Sequence, residues 1–174
     1  MLREYWGNLT LVLRGSVTRG RADQYSDIDF VFFCGDDVFH AVIERYRSLG
    51  VTARTDGVFV PLPNWIGHYH YETYAKLKGY FDNRDMPQAW ECINVELMHD
   101  PKSVYAGIVR EGTLHLFDNH LKIVKDRYID LMLTLDLLSH PLLRGDKIAA
   151  LLHCAKFIRT ACQLCYLMDR KASA

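Results

Sequence analysis

Two aspartates, Asp27 and Asp29, stand at the head of an apolar run in the segment DIDFVFF. The aromatic and β-branched residues 28–33 predict a strand, and alternate side chains of a strand share a face, so both carboxylates lie on the same side. At a separation of about 5 Å and an effective dielectric constant of roughly 20, two such charges repel by about 3 kcal/mol. A strand that carries this repulsion indicates that a cation sits between the two carboxylates.

A glycine turn precedes this strand. Residues 9–13 predict an earlier strand, and Gly15 and Ser16 follow it and open a predicted short helix over residues 16–24. Glycine allows a sharp turn, and the N–H groups at the start of a helix bind anions, to which Ser16 adds a hydroxyl donor. The turn is therefore predicted to bind phosphate.

The turn and the two carboxylates are predicted to meet. Ten residues separate Ser16 from Asp27, which is enough for the second strand to return beside the first. Mg²⁺ binds in proteins through one or two carboxylates together with the phosphate oxygens of a substrate. The sequence therefore predicts a phosphate-binding turn next to a Mg²⁺ site that includes Asp27 and Asp29.

The string LRGSVTRGRADQYSDIDFVFF, residues 13–33, resembles the signature of the nucleotidyltransferase superfamily that includes DNA polymerase beta. The resemblance lies in Gly-Ser at a strand end, followed at this spacing by Asp-x-Asp among apolar residues. It is closest to the small bacterial members, which are the minimal nucleotidyltransferases and those that modify antibiotics. Weaker correspondence extends to the segment INVELM and the helices that follow it.

The resemblance implies an enzyme that moves a nucleoside monophosphate, AMP from ATP, to an acceptor hydroxyl and releases pyrophosphate. Two Mg²⁺ ions assist such a displacement. By position, Asp27 and Asp29 match the catalytic metal ligands of the family, and Gly15 and Ser16 match its contacts to the triphosphate. Arg19 lies near the turn and is predicted to contact phosphate.

The family has a third carboxylate on a later strand, where it binds metal or takes the proton of the acceptor. We predict Glu96 for this position, as a catalytic residue and metal ligand on a strand over residues 93–98. The apolar side chains of that segment alternate, which leaves Asn94 and Glu96 on the other face. Asp56 and Asp100 are the competing candidates, and the choice between base and metal ligand for Glu96 stays open.

The pattern along the chain predicts an α+β fold. Residues 1–117 are expected to form a mixed β-sheet nucleotidyltransferase core flanked by helices, and residues 118–174 a C-terminal helical hairpin. The expected elements include a helix over 38–49, a strand over 58–62, and hairpin helices over 119–139 and 145–169. The second hairpin helix is apolar over most of its circumference, so it is expected either to be buried at an interface, for which we predict a homodimer, or to lack part of its cover.

The net charge and the cysteine content indicate which partners and which cellular compartment to expect. Lys plus Arg and Asp plus Glu each total 21, so the net charge is zero and no basic field favours nucleic acid or an anionic membrane. The five cysteines are odd in number and lie mostly in apolar runs, which favours a reducing compartment over a disulfide framework. The first residues do not have the charge and apolar pattern of a signal peptide, and no segment is long and apolar enough for a convincing membrane span. We therefore expect a cytoplasmic protein.

Three functions stay open at the level of sequence. The first is transfer to a small molecule such as an antibiotic-like alcohol. The second is adenylylation of a protein partner, as antitoxin-type minimal nucleotidyltransferases perform. The third is a nucleotide-binding module without catalysis, which the retained Gly-Ser and Asp-x-Asp motifs disfavour. The chain is either a compact member of the family or a portion of a longer protein.

A pair of histidines stands outside these motifs. His68 and His70 are two positions apart in the segment HYHY, so an extended backbone places both imidazoles on one face. Such a pair suits zinc, but no third ligand follows at a suitable spacing. His68 and His70 are therefore predicted to be ordinary surface histidines.

Overall fold

The computed structural model describes residues 3–50, 59–63 and 66–170. Contacts within the chain divide it into two compact units, Met1–Leu116 and Phe117–Ala174. The boundary predicted from the sequence falls between residues 117 and 118. Residue 58, the predicted start of a strand, lies outside the described residues.

The first unit is built on a mixed β-sheet. Within the described residues its strands are β1 (Thr10–Arg14), β2 (Ile28–Cys34), β3 (Phe59–Pro61), β4 (Gly67–Thr73) and β5 (Glu96–His99). Their order across the sheet is β3-β4-β2-β1-β5. Strand β2 pairs antiparallel with β1 and parallel with β4, while β3 and β5 pair antiparallel with β4 and β1. The predicted α+β class with a mixed sheet is confirmed.

Helices accompany the sheet on both faces. In the described part of the first unit they are α1 (Asp36–Ser48), α2 (Tyr74–Asp82), α3 (Met86–Ile93) and α4 (Val104–His115), with short 3-10 helices at Arg3–Asn8 and Val17–Arg19. Side-chain caps fix where two of the helices begin. The Thr73 hydroxyl accepts a hydrogen bond from Lys76 N at 3.1 Å, and Asp85 accepts one from Gln88 N at 3.3 Å.

The face of the sheet that carries Phe30, Phe32 and Cys34 packs against α1, and we call it the α1 face. Phe32 of β2 stacks on Tyr71 of β4 with ring centroids 5.0 Å apart. The buried cluster between this face and the helix contains Leu9, Cys34, Val38, Phe39, Val42, Ile43, Tyr46 and Tyr71. Burial of this apolar layer stabilises the parallel pairing of β2 with β4.

The opposite face carries Asp29, Val31 and Phe33, and we call it the aspartate face. Phe33 packs on Tyr105 of α4 with ring centroids 5.1 Å apart. The Tyr105 hydroxyl donates a hydrogen bond to the Cys92 carbonyl of α3 at 2.8 Å, which ties the two helices together. The aspartate face is thus closed by apolar packing toward the end of β2, whereas Asp29 near its start is only partly buried.

The segment over residues 93–98 differs from its predicted form. Helix α3 continues to Ile93, and β5 begins only at Glu96. The buried residues of α3 recur every three positions and line one face of the helix: Met86, Ala89 and Cys92. The apolar alternation over 93–98 therefore spans a helix end and a strand start, and the prediction of one continuous strand is wrong.

The second unit is a helical hairpin of α5 (His120–Arg144) and α6 (Lys147–Met168), as predicted for the C-terminal part. Gly145 ends α5 with φ +69°, a left-handed conformation that glycine adopts without strain. Asp146 then caps α6 by accepting a hydrogen bond from Ala149 N at 3.0 Å. These two residues set the tight turn between the helices.

Polar side chains take up much of the interior of the hairpin. Its buried residues are Thr134, Pro141, Thr160, Gln163, Leu164 and Leu167. Many large apolar side chains point outward instead, and Leu143 and Leu151 are 86% and 70% exposed. Exposed apolar surface of this extent is typical of an interface.

Helix α6 meets a simple criterion for a membrane span. Within the described residues it is the one helix with the length and apolar composition to cross a bilayer, and 11% of its most apolar 18-residue window is buried. One such helix is weak support for a membrane, because core helices of globular proteins meet the same criterion. Lys156 and Arg159 also lie near its middle, where a charge in a bilayer is unfavourable.

Gly112 provides a test of the packing between α2 and α4. A Cβ at this position would collide with the Phe81 side chain, whereas a Cβ at Gly107 of the same helix meets no described atom within 4 Å. We expect Gly112→Ala to lower the free energy of unfolding by about 2 kcal/mol, because the buried Phe81 has to move. Gly107→Ala should raise it by up to about 1 kcal/mol through helix propensity. Urea unfolding measures both variants, and equal effects would contradict this packing.

Candidate active site

The turn after β1 lies against the start of β2. Gly15 has φ +93°, which favours glycine, and a Cβ at this position would lie 3.6 Å from Asp29 Oδ2. Ser16 opens the adjoining 3-10 helix, in which Arg19 N donates to Ser16 O at 3.2 Å. The structure therefore brings the Gly-Ser turn and Asp29 together, on a helix shorter than the predicted one.

Asp27, Asp29 and His68 form a cluster of possible metal ligands. One oxygen or nitrogen atom of each lies within 4.8 Å of the others. Asp27 directly precedes β2 and Asp29 lies near its start, whereas His68 comes from β4, where the parallel register pairs it with Asp29. His68 Nδ1 lies 2.9 Å from Asp29 Oδ1, and these two side chains are 17% and 22% exposed.

The donor set of this cluster fits a divalent cation. Asp29 Oδ1 is buried and forms an ion-pair contact with His68 Nδ1 at 2.9 Å, without the alignment of a hydrogen bond. Burial raises the pKa of Asp29, with the charge of His68 opposing this shift and that of Asp27 adding to it. Burial also lowers the pKa of His68, and the charge of Asp29 opposes this shift. A cation would coordinate the buried oxygen and reduce the repulsion between the two carboxylates.

Arg19 lies on the same turn and contacts protein groups there. Its Nε donates a hydrogen bond to the Gly15 carbonyl at 2.9 Å. Its guanidinium lies 4.8 Å from the centroid of the Trp90 ring of α3, in a cation–π contact. These contacts hold a positive charge beside the turn that is predicted to bind phosphate.

Glu96 lies on the face of the sheet opposite to Asp29. Strand β5 pairs with β1 so that Glu96 stands opposite Leu13, which in turn stands opposite Phe30 of β2. Directly paired residues of antiparallel strands point to the same face, so Glu96 shares the α1 face with Phe30. Asp29 pairs with Arg14 and points to the aspartate face. The structure therefore does not bring Glu96 together with the two aspartates.

Asp100, a competing candidate for the third carboxylate, anchors the start of α4. Its Oδ1 accepts hydrogen bonds from Thr10 Oγ1 at 2.8 Å and Val104 N at 3.1 Å, and its Oδ2 accepts one from Ala106 N at 3.0 Å. Thr10 is the first residue of β1, at the end away from the Gly-Ser turn. Asp56, the other competing candidate, lies outside the described residues.

Strand β4 carries a row of polar side chains that begins at the cluster and becomes more buried along the strand. His68, His70 and Glu72 alternate along this strand, and the side chains of His70 and Glu72 are only 12% and 7% exposed. His70 Nε2 lies 3.3 Å from Glu72 Oε1 and 3.2 Å from Arg14 Nη2. The prediction of ordinary surface histidines is therefore wrong. The alternating segment HYHYE was the available signal, and the possible ligands that lie beside His68 are Asp27 and Asp29 rather than His70.

Glu72 is a buried carboxylate with several polar partners. The Tyr80 hydroxyl donates to its Oε2 at 3.0 Å, and Lys76 Nζ lies 3.4 Å from its Oε1. Burial alone would raise the pKa of Glu72, but the hydrogen bond from His70 and the charge of Lys76 outweigh burial and hold the pKa below its usual value. Such a carboxyl stabilises the fold above its ordinary pKa, and the contribution is lost as pH falls through the lowered pKa.

We expect Glu72→Gln to lower the free energy of unfolding by about 3 kcal/mol at pH 7, because it removes the buried charge that its partners require. The difference from wild type should shrink as pH falls through the lowered pKa of Glu72, where the wild-type carboxyl becomes protonated. Chemical denaturation between pH 7 and pH 3 measures this difference. Glu44→Gln, at a side chain 69% exposed, is the control. Equal stability of the two variants at pH 7 would show that Glu72 is not a stabilising charge.

Comparison with known proteins relates this geometry to a family. A family model described as a nucleotidyltransferase domain matches residues 1–88, just over half of the 174-residue chain. Among solved structures, the chain is similar to a nucleotidyltransferase-like protein from Exiguobacterium sibiricum 255-15, with 11% sequence identity and a TM-score of 0.46. That alignment covers 100% of this chain and 57% of the other. No curated protein matches the chain.

Proposed function

The chain belongs to the nucleotidyltransferase domain family, and we propose that it transfers a nucleoside monophosphate, AMP from ATP, to an acceptor hydroxyl with release of pyrophosphate. The main support is the Gly15 turn, where a Cβ would lie 3.6 Å from Asp29 Oδ2. A phosphate bound at this turn would lie beside the cluster of carboxylates. A nucleoside triphosphate with its metal requires such an anion site next to a cation site.

Each residue of the site has a separate role in this proposed reaction. The acceptor oxygen bonds to the α-phosphorus, the bond to the leaving pyrophosphate breaks, and the hydroxyl proton passes to a carboxylate of the site or to water. Gly15 and Ser16 bind the triphosphate through backbone N–H groups and the Ser16 hydroxyl, and Arg19 adds positive charge. Asp27 and Asp29 would hold Mg²⁺, proposed as two ions, which would supply positive charge to the attacking and leaving oxygens.

We propose a small molecule, such as an antibiotic-like alcohol, as the acceptor. A net charge of zero provides no extended positive field for nucleic acid. A second candidate, adenylylation of a protein partner, draws support from the hairpin, because outward side chains such as Leu143 offer an apolar docking surface. A module that binds nucleotide without catalysis is disfavoured by the cluster of Asp27 and Asp29 beside the turn.

We also propose a cytoplasmic location. All five cysteines are free, and Cys34 and Cys92 are buried. Burial raises the pKa of both thiols to about 12, which keeps them protonated and unreactive. Unpaired thiols of this kind are usual in a reducing compartment.

Asp27→Ala and Asp29→Ala are expected to abolish nucleotidyl transfer, since each removes a carboxylate from the metal that stabilises the transition state. Labelled ATP with Mg²⁺, offered to a panel of alcohols and candidate protein partners, measures the transfer. Glu44→Gln on α1 is the control for loss of a carboxylate elsewhere. Glu96→Gln should transfer like wild type, because its side chain lies on the α1 face. Wild-type transfer by both aspartate variants would refute the proposed site.

We propose that the hairpin pairs with a second copy of the chain. An open apolar groove of about 580 Å³ lies near the turn of the hairpin, with Leu138, Pro141 and Leu151 among its lining residues. Many leucines of the hairpin, Leu143 and Leu151 among them, lie outside its partly polar interior, where a matching hairpin would cover them. Burial of these side chains in a dimer would provide the apolar contact that the single hairpin lacks.

Sedimentation tests the homodimer. Wild type is expected to sediment as a dimer at concentrations in the tens of micromolar, and the double variant Leu143→Glu, Leu151→Glu as a monomer, because two buried charges oppose association. Leu114→Glu is the matched control, since Leu114 is 74% exposed on α4 of the first unit. A wild-type chain that sediments only as a monomer would contradict the proposal.

A further inference from the structure

We infer that His68 supplies the third ligand of the divalent-cation site and makes this site selective for Mn²⁺ over Mg²⁺. The inference rests on the proposed function, in which Asp27 and Asp29 hold a metal beside the bound triphosphate. It adds a nitrogen ligand to a site for which the sequence predicts a third carboxylate. The chemical class of the ion then follows from the ligand.

Sheet pairing places His68 beside the carboxylates. Strands β2 and β4 are parallel, with Asp29 opposite His68, so both side chains belong to the aspartate face. Gly67 allows the two strands to approach at this point, because a Cβ there would collide with the backbone of Ile28. Any residue other than glycine at position 67 would push the imidazole away from Asp29.

The distance between the donor atoms suits one shared ion. Neighbouring ligands of an octahedral ion with bonds of about 2.1 Å are about 3.0 Å apart. His68 Nδ1 and Asp29 Oδ1 are 2.9 Å apart, and a ligand atom of Asp27 lies within 4.8 Å of both. The three side chains therefore need little movement to bind one cation.

His70 is the other nitrogen donor on this face, and it points to different partners. Its Nε2 lies 3.2 Å from Arg14 Nη2 and 3.3 Å from Glu72 Oε1. Its ring stacks beside that of His68, with centroids 5.8 Å apart. This stacking and the low exposure of His68 orient the His68 ring, and an oriented ligand gives a tighter and more selective metal site.

A nitrogen ligand changes which ion the site prefers. Mg²⁺ favours oxygen ligands, whereas imidazole binds first-row transition metals well. Among those metals Mn²⁺ is the one that carboxylate and other oxygen ligands suit, so two carboxylates, triphosphate oxygens and one imidazole favour Mn²⁺ over Mg²⁺. We expect Mn²⁺ to bind roughly tenfold more tightly than Mg²⁺, and His68 to account for most of that ratio.

Pulsed EPR of the full chain loaded with Mn²⁺, without nucleotide, tests the nitrogen ligand. Wild type should show coupling between the Mn²⁺ electron spin and a nitrogen nucleus. His68→Asp should lose this coupling, and His70→Gln should keep it. No nitrogen coupling in wild type, or coupling that persists in His68→Asp, would overturn the inference.

Calorimetric titration of the metal-free chain tests the selectivity. The ratio of Mn²⁺ to Mg²⁺ association constants should fall from roughly tenfold in wild type to about twofold in His68→Asp, which converts the site to three carboxylates. His40→Gln, at an exposed histidine of α1, is the control and should keep the wild-type ratio. An unchanged ratio in a folded His68→Asp variant would overturn the selectivity.

These measurements separate the inference from the proposed function. Nitrogen coupling in a chain that transfers no nucleotide to any acceptor would leave the metal site in place and contradict the proposed function. Transfer by a chain that shows no nitrogen coupling would contradict the inference and leave the proposed function in place.

Discussion

Strand β2 is hydrogen-bonded along both edges, and its register determines which side chains meet at the site. Its antiparallel neighbour β1 brings the Gly15 turn to Asp29, and its parallel neighbour β4 brings His68 to the same carboxylate. A shift of one residue on either side would move these groups to the opposite face. The apolar layer under α1 opposes such a shift, because it would replace buried rings such as Tyr71 by polar side chains.

The two faces of the sheet therefore contribute to the stability of the fold with opposite signs. The aspartate face gathers the like charges of Asp27 and the partly buried Asp29, whose repulsion lowers the stability of the fold. The α1 face gathers the large apolar side chains that stabilise it. A site with partly buried like charges can persist on one side of a sheet because the other side supplies the packing free energy.

The sequence identifies the parts of the site whose signals are local. Gly-Ser and Asp-x-Asp are set by one turn and one strand, so spacing and alternation suffice to predict them. Local patterns do not identify His68, because its partner Asp29 lies on another strand and their pairing depends on a crossover through α1. Glu96 was chosen from an alternation that the end of α3 interrupts, and only the register with β1 shows which face it takes.

The contact between Arg19 and Trp90 gives the chain an optical property. The Arg19 guanidinium lies over the Trp90 ring, and the same side chain is bonded to the Gly15 carbonyl. A guanidinium that turned to a triphosphate would leave the indole and change the polarity and quenching around it. If the turn binds a triphosphate as proposed, Trp90 emission would report that binding without a label and before any turnover.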